Sequence, residues 1–200
     1  ISIPFCPTRC AYCSFVSYTS PKLLALIPDY LVKLCREIDE TFRIIRENGK
    51  RVVTVYIGGG TPTTLNETQL EILLSAVARN VDVASLEEFT LEAGRPDTIT
   101  TEKLQMLYDE GIGRISINPQ TMNQKTLDVI GRCHTTEDIC RAYEEARHIG
   151  FDNINMDLIA GLPGETEQPV HLSQRYSRPP HGLVGPLETP LRSVRVRNLS

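Results

Sequence analysis

The chain has 200 residues, 40% of them hydrophobic, and a formal net charge of -4 at pH 7. This length and apolar content suffice for one sizeable core, whereas the acidic balance argues against nucleic acid as a partner. No apolar run approaches the roughly 20 residues of a membrane-spanning helix, and the N-terminus lacks the basic and apolar segments of a targeting signal. We therefore expect a cytoplasmic protein without a membrane span.

The first thirteen residues contain Cys6, Cys10 and Cys13 in a C-x3-C-x2-C pattern. Three thiolates on one loop can bind a soft metal centre, but they supply one ligand fewer than a closed four-cysteine site. An iron–sulfur cube bound in this way keeps one iron open for an external ligand. The alternatives are a structural zinc site and a disulfide with a spare thiol. Since no histidine precedes His134 and no secretory signal indicates an oxidising compartment, the spacing favours the cluster.

Strand and helix patterns alternate along the next 150 residues. Apolar residues at helical spacing over 31–45 predict a helix that ends at Asn48-Gly49. The run 52–57 is typical of a strand buried on both faces. Further strands are predicted at 89–93, 114–118 and 153–159. One further helix is predicted after a cap-like pair, Asn66 and Gln69. Three more are predicted to start near Thr100, Asn123 and Thr136 and to end at Gly111, Gly131 and Gly150, respectively.

A glycine-rich turn, Gly58-Gly59-Gly60-Thr61-Pro62, follows the second predicted strand. Glycines let the backbone approach a ligand closely, and its N–H and C=O groups can bind the ammonium and carboxylate of an amino acid. The turn lacks the Lys-Ser/Thr of a P-loop and the spacing G-x-G-x-x-G. Ordinary turn chemistry is the alternative. In a sheet that begins with a cysteine triplet, we interpret it as a ligand-binding turn.

The later strands alternate apolar and polar side chains. In the last one, Asn153, Asn155 and Asp157 share a face opposite the apolar residues between them. A closed eight-stranded barrel fills its interior with Val, Ile and Leu, so a polar face favours a splayed barrel around a polar ligand. A sheet with one solvated face is the alternative. Because repeated βα units imply parallel strands, we expect an α/β fold: an incomplete parallel barrel of about five βα units.

Six stretches carry a resemblance to a known family, and they follow one another over residues 1 to about 166. With them, the chain resembles the radical S-adenosylmethionine (SAM) superfamily and, within it, the oxygen-independent coproporphyrinogen-III oxidases (coproporphyrinogen dehydrogenases). The stretches are residues 3–13, 58–62, 91–96, 114–121, 130–134 and 155–163.

The resemblance implies a [4Fe-4S] cluster and SAM as cofactors, and it assigns residues to both without naming a catalytic residue. From the sequence alone, Arg132 is equally well interpreted as a cation at a helix C-terminus, and His134 as a plain loop residue. Glu92 and Asp157 also belong to the polar faces of the predicted strands. The implied ligands are Cys6, Cys10 and Cys13 for the cluster, Gly59, Gly60, Thr61 and Glu92 for SAM, and Tyr12, Gln120, Arg132 and Asp157 for a second SAM or the substrate.

The resemblance also implies an activity. One electron from the reduced cluster cleaves SAM, the resulting radical abstracts hydrogen from a propionate of the porphyrinogen, and loss of carbon dioxide together with one electron leaves a vinyl group. An electron donor such as flavodoxin or ferredoxin is the implied partner. The related heme chaperones, which bind heme without oxidising its precursor, are an alternative, because Ser14-Phe15 stand where the oxidases have a further cysteine. The sequence of residues 116–121 is closer to that of the dehydrogenases.

Both ends depart from the family pattern. The chain begins inside the predicted first strand, so we expect residues 1–166 to form an N-terminally truncated radical SAM barrel. Residues 167–200 contain five prolines and five arginines but only two acids, and they lack helical or strand periodicity. Such a segment cannot supply a further βα unit. We predict that 167–200 is a tail, disordered or non-native, which makes the C-terminal part of the fold atypical.

Overall fold

The computed structural model describes residues 1–165 and the backbone of residues 196–198. Five strands form one parallel sheet in the order β1-β2-β3-β4-β5, so that each strand lies beside its neighbour in the chain. Within the described residues β1 and β5 are the two edges and do not pair with each other. The strands are β1 Ser2–Ile3, β2 Thr54–Gly59, β3 Glu88–Gly94, β4 Arg114–Ile117 and β5 Asn153–Asn155.

Helices fill the crossovers between these strands. The predicted α/β fold, an open and incomplete parallel barrel, is confirmed, with five parallel strands and a helix-containing connection between each consecutive pair. Short 3₁₀ turns occur at Pro62–Thr64, Val83–Ser85 and Pro96–Thr98. The helices are α1 Pro21–Leu24, α2 Ile27–Glu47, α3 Glu67–Ala78, α4 Thr101–Asp109, α5 Gln124–Val129 and α6 Thr136–Ile149.

The helix boundaries follow from capping. Asn66 and Gln69 form a reciprocal capping box at the start of α3, with N···O distances of 2.9 and 3.0 Å. Such a box satisfies two backbone N–H groups that a helix start leaves unpaired. At its other end, α2 stops at Asn48, whose side-chain amide donates to the carbonyl of Ile44 at 2.8 Å. Both boundaries agree with the sequence prediction.

The core lies between the apolar face of the sheet and the helices. The apolar stripe of α2 is buried against α3, and α4 packs against α6. The side chains of Ile57, Leu91 and Ile115, on three adjacent strands, are fully buried. Truncation of such residues to Ala costs about 2–5 kcal/mol. This packing fixes the strands whose carboxyl ends carry the candidate site.

The other face of the sheet is polar, as predicted, and its side chains bond to one another. Asn155 Nδ2 donates to Ser116 Oγ at 2.7 Å and to Asp157 Oδ1 at 2.9 Å, and Ser116 Oγ donates to Asn118 Oδ1 at 3.0 Å. Ser116, Asn118 and Asn155 are at most 9% exposed. At these three positions the polar face is therefore buried, in contrast to the alternative interpretation of a sheet with one solvated face.

The prediction of one continuous strand over 153–159 is wrong. β5 ends at Asn155, and the chain resumes as β6, Leu158–Ala160, which pairs in parallel with β7, Val196–Asn198. The neighbouring strand explains the break. β4 ends at Ile117, two residues before Pro119, which has no N–H and cannot extend a ladder. The regular pairing therefore ends at Ser116 and Asn155, and it resumes one residue out of register with a parallel bridge between Gln120 and Leu158.

Most of the predicted tail lies outside the described residues, because only the backbone of 196–198 is described beyond residue 165. The proposed boundary near residue 166 therefore stays a prediction. In the part of the chain that is described, no helix combines the length and apolar character needed to cross a membrane.

Candidate functional site

The three cysteines lie on the loop between β1 and α1. Backbone hydrogen bonds anchor this loop at several points. The N–H of Cys6 donates to the carbonyl of Tyr18 at 3.1 Å, and the N–H of Ala11 donates to Ile130 at 3.0 Å. A local turn closes where the N–H of Cys13 donates to Cys10 at 3.1 Å. The loop is thereby fixed both to Tyr18, near its own end, and to Ile130 at the C-terminal end of α5.

Each of two thiols accepts a hydrogen bond from a residue outside the loop. Thr61 Oγ1 donates to Cys6 Sγ at 3.4 Å, and Arg95 Nη1 donates to Cys10 Sγ at 3.7 Å. Burial raises the pKa of the Cys6 thiol, although the hydrogen bond from Thr61 opposes this effect. Metal binding requires the thiolate, so it must release the proton that burial retains.

The three thiols are candidate ligands of a metal centre. Among residues 1–165, no three Cys, His, Asp or Glu side chains are close enough to hold a single metal ion. Tetrahedral zinc with Zn–S bonds of about 2.3 Å brings its sulfurs to about 3.8 Å from one another. A [4Fe-4S] cube binds each cysteine at a different iron and so tolerates wider separations. Three soft donors on one anchored loop suit such a cluster.

The glycine turn packs directly on the cysteine loop. A Cβ atom at Gly60 would lie 2.7 Å from the carbonyl oxygen of Phe5 and 2.9 Å from Cys6 Sγ. Gly59 has φ of +110°, and a Cβ there would lie 2.6 Å from Ser2 Oγ. Both glycines are thus required by close approach to β1 and to the first cysteine. This places Gly59, Gly60 and Thr61, the predicted SAM contacts, beside Cys6.

Glu92, the fourth predicted SAM contact, is paired with a residue that the sequence analysis missed. Tyr56 on β2 donates its hydroxyl to the Glu92 carboxylate on β3. Gly58 makes room for this pair, since a Cβ there would lie 2.5 Å from the Tyr56 ring and 3.0 Å from the Glu92 carboxyl carbon. Alternation along β2, which puts Tyr56 and Gly58 on one face, was the available signal.

Arg132 is buried beside the cysteine loop. Its side chain contacts Tyr12, where Nη2 donates to the tyrosine hydroxyl at 2.7 Å, and the residue is only 7% exposed. Within the described residues Nε and Nη1 have no hydrogen-bond partner. A guanidinium remains charged, and a buried charge is costly unless it is paired. This geometry favours a ligand-binding arginine over a cation that only caps a helix.

Tyr12 keeps its proton over the physiological range. Burial, opposed by the charge of Arg132, raises the pKa of Tyr12 to about 12. The hydroxyl therefore accepts from Arg132 and retains its own proton.

Gln120 and Asp157 meet through the backbone at the ends of β4 and β5. The N–H of Gln120 donates to the carbonyl of Asp157 at 2.9 Å, and Gln120 adopts φ of +68°. This conformation is rare for a residue with a Cβ and costs on the order of 1 kcal/mol. Within residues 1–165, no hydrogen bond links either side chain to the loop 6–13. The structure thus joins these two residues to each other but not to the cysteines.

A second set of polar residues, two of them buried, was not recognised in the sequence. Arg95, Asp97 and His134 connect the end of β3 to the segment that precedes α6, with Arg95 Nε donating to Asp97 Oδ1 at 3.1 Å. His134, interpretable as a loop residue, is 1% exposed, and its Nδ1 lies 3.4 Å from the same carboxylate oxygen. Partial burial raises the pKa of Asp97, but the hydrogen bond with His134 and the charge of Arg95 outweigh it and lower the pKa to about 2.

Several of the predicted site residues lie at or just beyond the carboxyl ends of adjacent strands. Gly59 to Thr61 lie at the end of β2, Glu92 near the end of β3, Gln120 beyond β4 and Asp157 beyond β5. Ligands of open parallel sheets bind at the carboxyl ends of the strands. The geometry therefore brings these predicted residues to one edge of the sheet, and the cysteine loop packs against that edge at Gly60.

Comparison with known proteins agrees with this arrangement. The sequence matches the Radical SAM superfamily over residues 1–175. It is 46% identical over 166 residues to the oxygen-independent coproporphyrinogen-III oxidase-like protein HemZ of Bacillus subtilis, covering 82% of this chain and 33% of that protein. It is 41% identical over 170 residues to the heme chaperone HemW of the same organism, covering 83% of this chain and 43% of HemW.

The fold is also similar to a solved structure. Coproporphyrinogen III oxidase (HemN) from Escherichia coli, described as a radical SAM enzyme, superposes with a TM-score of 0.78 at 29% identity, covering 88% of this chain and 40% of that one. The chain thus spans less than half the length of these relatives. Radical SAM proteins use a [4Fe-4S] cluster and SAM, so the cofactor prediction is confirmed at the level of the family. The open parallel sheet, the anchored cysteine triplet and the match over residues 1–175 lead to one conclusion: this chain belongs to the radical SAM superfamily.

Proposed function

We propose that this chain is the radical SAM part of a protein that oxidatively decarboxylates the propionates of coproporphyrinogen III to vinyl groups in heme biosynthesis. The observation that carries the proposal is the buried Arg132, which keeps two unpaired donors beside the cysteine loop. An arginine fork suits a carboxylate, and both the propionates and SAM present one. The similarity to HemN and HemZ supports this substrate class.

Each site residue has a proposed role. Cys6, Cys10 and Cys13 hold the [4Fe-4S] cluster, and Gly59, Gly60, Thr61 and Glu92 hold SAM. When bound, these groups supply one-electron chemistry that removes a hydrogen atom from the substrate. The electron comes from a donor such as flavodoxin or ferredoxin.

The chain itself orients the ligands and limits the access of water. Arg132 binds a carboxylate while Tyr12 donates its retained proton to the same group. The carboxylate of Asp157, held by Asn155, accepts from an ammonium or hydroxyl group, and Gln120 is fixed beside it. Because hydrogen bonds and ion pairs strengthen where water is excluded, burial of Arg132 increases its effect on a bound carboxylate.

A heme chaperone is the second candidate, and two observations favour it. The relatives include heme chaperones HemW at 30–41% identity, and Ser14-Phe15 replace the further cysteine of the oxidases. Under this proposal the chain binds heme and does not turn over the porphyrinogen. In either case we place the protein in the cytoplasm, where cysteine thiols and a reduced cluster persist.

The two candidates differ in their products. The protein that contains this chain, with its cluster reconstituted, is incubated anaerobically with dithionite, SAM and coproporphyrinogen III, and the porphyrins are identified by mass spectrometry. Stepwise loss of two carboxyl groups with formation of 5′-deoxyadenosine supports the oxidase. Retention of one heme per chain without consumption of SAM supports the chaperone. Neither product nor heme binding would contradict both.

A further inference from the structure

Arg95 is a buried residue that contacts the cysteine loop. It is not among the proposed cofactor contacts. It follows the last residue of β3, and its side chain is 3% exposed. Nη1 donates to the carbonyl of Thr8 at 3.1 Å and to Cys10 Sγ at 3.7 Å. These bonds join residues more than 80 positions apart in the chain. One side chain thus holds both the backbone of the loop and one candidate cluster ligand.

The charge of Arg95 is only partly balanced by protein groups. Asp97 is its acidic partner, at 3.1 Å from Nε, but the same oxygen also lies 3.4 Å from His134 Nδ1. Nη2 is buried and has no hydrogen-bond partner among the described residues. A buried guanidinium requires compensating negative charge and acceptors. A cluster on Cys10 would supply both, since thiolate ligands and the added electron are negative.

We infer that Arg95 is a positioning residue that fixes Cys10 and raises the reduction potential of the cluster. This inference rests on the proposed assignment of Cys10 as a cluster ligand. Net charge, hydrogen bonds to the sulfurs and solvent exposure set the potentials of such clusters. A fixed cation that donates to a ligand sulfur stabilises the reduced, more negative state more than the oxidised state. Reduction by the electron donor becomes easier as a result.

The geometry requires arginine in particular. A planar guanidinium donates to Thr8, Cys10 and Asp97 at the same time, whereas the single ammonium of a lysine retains the charge without this fork. Arg95→Lys therefore separates the effect of charge from the effect of geometry, and Arg95→Gln removes both the charge and most of the donors.

The test is a potentiometric titration followed by EPR on the anaerobically reconstituted chain. Iron and sulfide are measured first, so that each potential refers to a known cluster content. Arg95→Gln should disfavour reduction at least tenfold, which is a fall of about 59 mV for one electron. Arg95→Lys should fall by less. Arg79→Gln, which removes an exposed arginine at the C-terminal end of α3 that is paired with Asp39, is the matched control and should leave the potential unchanged.

The outcomes separate this inference from the proposed ligand set. A full cluster with an unchanged potential in Arg95→Gln would overturn the role of Arg95. Should Arg95→Gln fail to fold, Arg95→Lys decides: a lowered potential supports the inference, and the wild-type value contradicts it. If Cys10→Ala still holds a complete cluster with a wild-type EPR spectrum, the assignment of Cys10 is wrong, and the inference fails with it for that separate reason.

Discussion

Replacement of Gly60 by Ala tests whether the glycine turn and the cysteine loop are one packed unit. The new Cβ would lie 2.7 Å from the carbonyl oxygen of Phe5, 2.9 Å from Cys6 Sγ and 3.0 Å from the carbonyl oxygen of Ile3. Real Cβ atoms do not approach backbone this closely, so the turn or β1 must shift by several tenths of an ångström. Both partners are anchored, because the same carbonyls accept from the N–H groups of Gly60 and Thr61 at 2.8 and 2.9 Å.

The magnitude follows from overpacking at this contact. Forcing an extra methyl into a packed site costs about 1–3 kcal/mol, and two weakened backbone hydrogen bonds place the expected loss at the upper end, about 2–3 kcal/mol. Urea unfolding of the metal-free chain measures this loss directly. Iron content after reconstitution should also fall, since Cys6 Sγ is one of the displaced atoms.

Gly113→Ala is the matched control for this change. A Cβ at Gly113 would meet no atom within 4 Å, and its φ is not positive. Such a substitution is neutral or stabilises by about 0.4–1 kcal/mol through the unfolded chain. If Gly60→Ala unfolds at the same urea concentration as Gly113→Ala and takes up wild-type iron, the close packing of turn and loop is refuted.

Two further predictions concern polar pairs in and beside the site. Tyr56→Phe removes the hydroxyl that orients Glu92; SAM binding measured by calorimetry should weaken about fivefold to tenfold, as expected for one lost hydrogen bond, while Tyr108→Phe on the helix side should bind normally. Asp97 has a pKa of about 2 in the folded chain, against an ordinary value of 3.8 for an aspartate. A lowered pKa contributes stability that is complete above 3.8 and is lost as the pH falls towards 2. The difference in unfolding free energy between the wild type and Asp97→Asn should therefore shrink by about 1–2 kcal/mol between pH 5 and pH 2, and a pH-independent difference would contradict the assigned ion pair.

Features encoded by local spacing could be predicted from the sequence. The cysteine triplet, the glycine turn and the capping box of Asn66 and Gln69 each depend on residues a few positions apart. Alternation along single strands likewise indicated the polar face that carries Glu92 and Asp157. These signals need no knowledge of which strands are neighbours.

Features that depend on neighbouring elements could not be predicted. The end of β5 at Asn155 reflects Pro119, which lies just beyond the adjacent strand β4. The pairing of Tyr56 with Glu92 depends on the register between β2 and β3. The contact of Arg95 with Cys10 joins residues 85 positions apart. Each arises from packing that a single segment does not encode.

The central claim is that Cys6, Cys10 and Cys13 hold a [4Fe-4S] cluster with an iron open to SAM. Anaerobic reconstitution with iron and sulfide, followed by metal analysis and EPR of the reduced chain, tests it most directly. We expect about four irons per chain, an EPR spectrum that changes when SAM is added, and loss of the cluster on replacement of any of the three cysteines by Ala but not in Cys35→Ala. Stoichiometric zinc with no iron–sulfur chromophore, or a complete cluster in Cys6→Ala, would contradict the claim.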